Sequence, residues 1–198
     1  MGSKGEATKS KIIEAARKLL RLKGYAGTGI EEICKESGVT RGNLYFHFKS
    51  KEEIACAAVD DAAGRYIPFF ETLMQDEDDP LRKIELMMDG VFAFHESRGS
   101  KASCLFGNIA QEAGETGRTL AQASQRFFEA WIDLIAGLFD EAKGKGLVHG
   151  HLDSEALGHL IVGSFEGSLI LFKASQDPAV YAKTRKALKG VLAGLRVK

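Results

Sequence analysis

From one end of the chain to the other, apolar residues recur at steps of three and four, and no stretch alternates apolar with polar. A helix turns once in about 3.6 residues and a strand flips its side chains every second residue, so this spacing belongs to helices. No βαβ rhythm is present, which leaves an all-α fold. Breaks between the runs carry helix start and stop signals. The spacing predicts a first helix over Thr8–Lys23, with Ile12, Ala15, Ala16, Leu19 and Leu20 on one face and Gly24 as a left-handed stop. Thr28 is read as the cap of a second, short helix to Ser37 that carries Ile30, Ile33 and Cys34, and Thr40 as the cap of a third, to Phe46 or Phe48. Ser50 with Glu53 forms a capping box for a long fourth helix. Five more segments follow: Asp79–Arg98, opened by Asp79-Pro80; Ser103–Ala113; Thr116–Lys143; Ser154–Ser175; and a last one opened by Asp177-Pro178 and ending near Leu195.

Charge is not spread evenly along this scaffold. Residues 1–51 hold 11 Lys/Arg against 5 Asp/Glu, a balance of +6, and the remaining residues hold 16 against 22, a balance of −6. A basic head on an acidic body points to a polyanionic partner for the head. Apolar residues at 44% and charged residues at 27% are those of a globular chain. No run of eighteen apolar residues is present, the N-terminus has no apolar signal core, and Glu6 stands where a myristoylation signal needs Ser or Thr. Cys34, Cys56 and Cys104 have neither metal-motif spacing nor a disulfide framework. These features read as a soluble protein of a reducing cytoplasm.

Within the basic head, three short helices joined by tight turns match a helix-turn-helix. Gly38 suits the positive φ of its middle turn, Val39 plugs the space between the helices, and Thr40 caps the recognition helix. The stretch from Ala26-Gly27-Thr28-Gly29-Ile30 through Gly38-Val39-Thr40-Arg41-Gly42-Asn43-Leu44-Tyr45-Phe46-His47-Phe48-Lys49-Ser50-Lys51-Glu52 resembles the TetR family of transcriptional regulators. The Leu-Tyr-x-His-Phe-x-Ser-Lys-Glu run carries the resemblance, which covers roughly the first quarter of the chain. It implies a homodimer on double-stranded operator DNA, with repression usually relieved by an inducer. The boundary then falls near Lys49–Lys51, with a DNA-binding domain over 1–51 and a ligand-sensing and dimerisation domain over 52–198.

Residue chemistry and the family pattern agree on the head. Thr28 is a candidate phosphate contact. Thr40, Arg41, Gly42 and Asn43 open the recognition helix, where Arg41 suits guanine, Asn43 suits adenine and Gly42 admits close approach. Tyr45 and His47 match backbone-contacting positions of the family, and Lys51 brings charge to the start of the fourth helix. Leu44, Phe46 and Phe48 are read as core.

In the body, Phe127, Trp131, Leu134 and Leu138 make one stripe of the Thr116–Lys143 helix, and Phe128, Ile135 and Phe139 another. Such a helix is central to a bundle, and Trp131 is a candidate wall of an inducer pocket. The Ser154–Ser175 helix carries Gly163, Ser164, Gly167 and Ser168, small residues that suit close helix approach. In the TetR family this helix and the last one form the dimer interface. Cys104 follows a Gly/Ser-rich loop and opens a short helix, where the helix start and Lys101 favour a thiolate. Cys104-Leu105-Phe106-Gly107-Asn108 resembles a TetR subgroup that includes the N-ethylmaleimide reductase repressor, which implies an electrophile- or oxidant-sensing cysteine. Glu166 and Lys173, two turns apart in a run similar to that subgroup, would serve such a site if their face looks inward. Cys34 and Cys56 are read as structural.

No cofactor is expected. The glycines at 24, 27 and 29 follow no strand, there is no P-loop, and no nucleophile elbow stands in the chain. His149 and His151 lack the further ligands a metal site needs. The alternative from another class is a helical enzyme or a protein-binding adaptor whose helix-turn-helix is degenerate.

Overall fold

A helix leaves its first amides without partners, and in this chain side chains supply many of them. The structure, a computed structural model, describes residues 4–99, 104–112 and 118–197. Among these residues are nine helices: α1 (Lys4–Lys23), α2 (Ile30–Ser37), α3 (Arg41–His47), α4 (Lys51–Met74), α5 (Pro80–Glu96), α6 (Leu105–Gln111), α7 (Arg118–Gly144), α8 (Ser154–Ser175) and α9 (Ala179–Leu195). The all-α architecture read from the spacing is the one observed. Asp79 accepts the amides of Leu81 and Arg82, with Pro80 as the first residue of α5. Asp153 accepts from Ala156 at the start of α8. Ser50 accepts from the Glu53 amide at 3.1 Å, while the Glu53 carboxylate reaches back to the Lys49 amide at 2.6 Å.

The described chain divides into two compact units, one drawn from Met1–Arg65 and Ser103–Phe127, the other from Tyr66–Ala102 and Phe128–Lys198. In the first, α1 packs on α2, α3 and α6. Its core is Ile12, Ala16, Leu20, Ile33, Leu44, Phe48 and Ile54, extended by Phe106 stacked on Phe127 with ring centroids 3.5 Å apart. Ser124, wholly buried, donates to the Phe106 carbonyl at 3.1 Å. Burying such side chains contributes roughly 1.5–3 kcal/mol each, which is what holds helices as short as α2 and α3.

The second unit is aromatic inside. Trp131 meets Phe70 and Phe165 at 5.1 and 5.3 Å, Phe92 meets Phe165 at 5.3 Å, and Phe172 meets Tyr181 at 4.7 Å. α9 lies against α8 and α5. The Tyr181 hydroxyl is buried with no partner among the described residues, and burial pushes its pKa up to about 12. At the rim, Lys189 pairs with Asp89 at 2.7 Å and Arg185 pairs with Glu96. α8 is long and apolar enough to cross a membrane by length and composition alone, with a mean hydropathy of 1.3 over its most apolar window. Glu166 and Lys173 interrupt it.

Candidate nucleic-acid interface

The turn between α2 and α3 follows from three residues. Gly38 takes φ +68°, a left-handed conformation that glycine adopts without steric cost, and its amide closes on the Cys34 carbonyl end of α2. Val39 is 9% exposed beneath it. Thr40 has extended backbone and its hydroxyl accepts from the Asn43 amide at 3.4 Å, so α3 begins at Arg41 as expected. Leu44 is wholly buried and anchors α3, and Phe48 closes the far end at 2% exposure under the Lys9 ammonium.

That anchor leaves the other side chains of α3 outside. Arg41, Gly42, Asn43 and Tyr45 are all exposed, and His47 is half-buried. The Arg41 guanidinium pairs with Glu31 at 2.6 Å and stands 5.7 Å from the Tyr45 ring centroid. Its hydrogen bond with Tyr45, and then the Glu31 charge, raise its pKa further above the ordinary arginine value. Phe46 is a correction: expected in the core, it is 82% exposed, its ring edge-on to His47.

Thr28 is a second correction. The residue capping α2 is Gly29, whose amide meets the Glu32 carboxylate at 3.2 Å. Thr28 is 1% exposed, and its hydroxyl donates to the Gly24 carbonyl at 2.7 Å. It shapes the α1–α2 turn, and its hydroxyl faces inward, where no phosphate reaches. Lys51 stands at the start of α4 with its ammonium 4.1 Å from the Tyr25 ring centroid. Burial lowers its pKa, and the Glu112 charge acts the other way.

Sequence reasoning missed two residues that bear on this head. Asn108 of α6 donates to the Arg21 carbonyl at 2.8 Å, satisfying an acceptor that the end of α1 leaves free. Glu112, which follows α6, accepts the Ala26 amide at 2.7 Å. Both contacts fix the turn that carries Tyr25 and Thr28.

Of the residues read as an inducer site, Cys104 belongs to the first unit and Trp131, Glu166 and Lys173 to the second. Cys104 is half-buried and caps α6, its Sγ accepting the Gly107 amide at 3.4 Å. Lys101, its expected neighbour, lies outside the described residues. Trp131 is 3% exposed within the aromatic cluster and Glu166 is half-buried. Lys173 is exposed, so an inward role for it is corrected: the inward face at this turn of α8 is taken by Leu169 and Phe172, and Lys173 lies on the face turned to solvent. Cys34 and Cys56 both have thiols pushed up in pKa by burial, which keeps them protonated. His149 and His151 stack at 5.4 Å on the surface, and no group of three or more metal-ligating side chains gathers among the described residues.

The profile of bacterial regulatory proteins of the tetR family matches residues 12–58, and that of the tetracyclin repressor-like C-terminal domain matches residues 80–188. The chain is 27% identical to an uncharacterised HTH-type transcriptional regulator of Lactococcus lactis subsp. lactis over 92% of its length and 91% of that protein's. It is 30% identical to the HTH-type transcriptional regulator LmrA of Bacillus subtilis (strain 168), over 64% of this chain and 68% of that one. Among solved structures, a TetR transcriptional regulator from Chloroflexus aurantiacus J-10-FL superposes with a TM-score of 0.90 at 26% identity, covering 98% of this chain and 99% of the other. These relatives are regulators of transcription and not enzymes.

Proposed function

The chain belongs to the tetR family of bacterial regulatory proteins and is a DNA-binding transcriptional regulator, and from that premise we propose that it acts in the cytoplasm as a homodimeric repressor released from its operator by a small molecule or a reactive electrophile. The observation that carries the DNA-binding reading is the exposed run Arg41, Gly42, Asn43 and Tyr45 on a helix fixed by the buried Leu44, inside a segment with a balance of +6. Thr40, Arg41, Gly42 and Asn43 enter the major groove, with Arg41 and Asn43 as the base readers, and Tyr45, His47 and Lys51 lie on the DNA backbone. Residues 1–51 form the DNA-binding part, and 52–198 sense the inducer and dimerise.

Dimerisation through α8 and α9 is supported by what these helices leave open. A Cβ added at Gly163, Gly167, Gly190 or Gly194 meets nothing of the same chain within 4 Å. Leu160, Ile170 and Leu171 of α8 and Val191 of α9 are 41–60% exposed. Small residues beside exposed aliphatic ones suit a helix face that a second copy covers, and such cover accounts for the apolar character of α8 without a membrane. A two-fold dimer reads half-sites about 34–36 Å apart or a multiple, so an inducer acts by favouring a spacing of the heads that no longer matches.

Arg41→Ala tests the head. If Arg41 reads a base, affinity for a selected operator falls by about 1–3 kcal/mol while affinity for random duplex changes far less. Equal losses on both make it a phosphate contact. Cys104→Ser tests the inducer. A quinone that releases the wild type should leave the mutant on its operator, while the mutant's DNA affinity stays unchanged. Release of the mutant at the wild-type dose removes the electrophile reading and directs the search to apolar ligands near Trp131.

A further inference from the structure

Phe46 is the most exposed large apolar side chain of the described chain, at 82%. Its position on α3 is set by Leu44, which is wholly buried and marks the inward direction. At about 100° per residue, Phe46 lies about 200° from Leu44 and Gly42 about 160°, so both sit on the opposite crest, one turn apart. Nothing of the chain lies within 4 Å of a Cβ added at Gly42. The crest is therefore bare backbone followed by an aromatic ring. Arg41, Asn43 and Tyr45 flank it, all exposed, and the His47 ring stands at 89° to the phenyl plane, 5.2 Å between centroids, supporting the ring from one side.

A ring left in water forgoes the free energy of burial that a contacting surface would supply. The basic balance of residues 1–51 selects a polyanion, and the bare backbone at Gly42 lets the crest come close to it. In the major groove, base edges offer hydrogen-bond donors and acceptors and a single apolar group, the 5-methyl of thymine. We propose that Phe46 is a specificity-determining residue that reads a thymine through its 5-methyl group. This rests on the DNA-binding reading above and adds to it an apolar contact alongside the polar ones.

The test uses the full chain and a pool of random duplexes, from which wild type and Phe46→Ala each select their sites. In the wild-type site every thymine of one half is replaced in turn by deoxyuridine, which removes only the methyl. At one position the replacement should weaken wild-type binding roughly three- to fivefold, the worth of one buried methyl-sized group. Phe46→Ala, which keeps its helical spectrum because the ring is exposed, should show no loss at that position and accept other bases there. Methyl sensitivity at no position, or equal sensitivity in Phe46→Ala, overturns the inference. Selection of no sequence by the wild type overturns the DNA-binding reading, and the inference with it. Selection of a site whose affinity does not respond to Phe46→Ala likewise overturns the inference while leaving the DNA-binding reading intact.

Discussion

Arg41 has a carboxylate and an aromatic ring as its neighbours on the exposed side of the head. Glu31 pairs with it at 2.6 Å, and its guanidinium carbon lies 5.7 Å from the Tyr45 ring centroid. The side chains of Arg41 and Glu31 are 63% and 75% exposed, so water and salt already screen the pair and its loss costs the fold little. Its effect falls on binding, because a carboxylate beside the guanidinium proposed to read a base opposes every phosphate that approaches. Glu31→Gln keeps the side chain's shape and removes the charge. The expected outcome is operator affinity raised by roughly two- to fivefold at low salt, shrinking as salt rises, because the gain is electrostatic. Fluorescence anisotropy on one operator across a salt series measures it. A fall in affinity would mean that Glu31 orients Arg41 for reading and does not compete with DNA.

At the scale of elements, the α1–α2 turn depends on α6. Gly24 ends α1 at φ +73°, and a Cβ added there would stand 1.8 Å from Glu112 Oε1. Gly24→Ala therefore suffers twice, from backbone strain and from the carboxylate, whereas in a Glu112→Ala background only the strain of about 1–2 kcal/mol remains. Glu112→Ala alone removes the acceptor of the Ala26 amide, at about 1 kcal/mol. The double-mutant cycle should show coupling: Gly24→Ala costs less on top of Glu112→Ala than in the wild type, as read by denaturant unfolding. Additive costs would show that the carboxylate simply moves aside. The same contrast between local and distant causes explains what the sequence made legible. Helix starts at Thr40, Asp79 and Asp153 are set by side chains two or three residues from the amides they accept, so they stand in the sequence. Glu112 meets an amide 86 residues away, and no local signal announces it. Phe46 was hidden differently: Leu44, Phe46 and Phe48 fall at every second position, and a helix of seven residues makes fewer than two turns, too few for a helical period to show which of them faces inward. Thr28 was misread because a hydroxyl suits a cap and a turn equally. Its choice is set by the left-handed Gly24, whose carbonyl it meets.

At the scale of the molecule, the formal net charge is 0 and the sequence pI about 7.0, so attraction to DNA has to come from the uneven distribution of charge and not from its total. In the homodimer proposed above, two heads, each with a balance of +6, are held at one spacing, and specificity comes from matching that spacing to two half-sites. Gly163 of α8 is where that requirement is best tested, because folding and assembly pull in opposite directions there. A Cβ at this position meets nothing of its own chain, and leucine favours a helix interior over glycine by nearly 1 kcal/mol. Gly163→Leu should therefore keep or raise helicity within the chain. Against a second copy it inserts an isobutyl group where the small face would need close approach, and overpacking of that kind costs about 1–3 kcal/mol per site, counted twice across a two-fold axis. The expected outcome is a helical chain that sediments as a monomer at micromolar concentration and loses two-half-site operators much more than single half-sites. If the mutant remains a dimer, α8 does not carry the interface at Gly163, and the exposed Leu160, Ile170 and Leu171 require another partner.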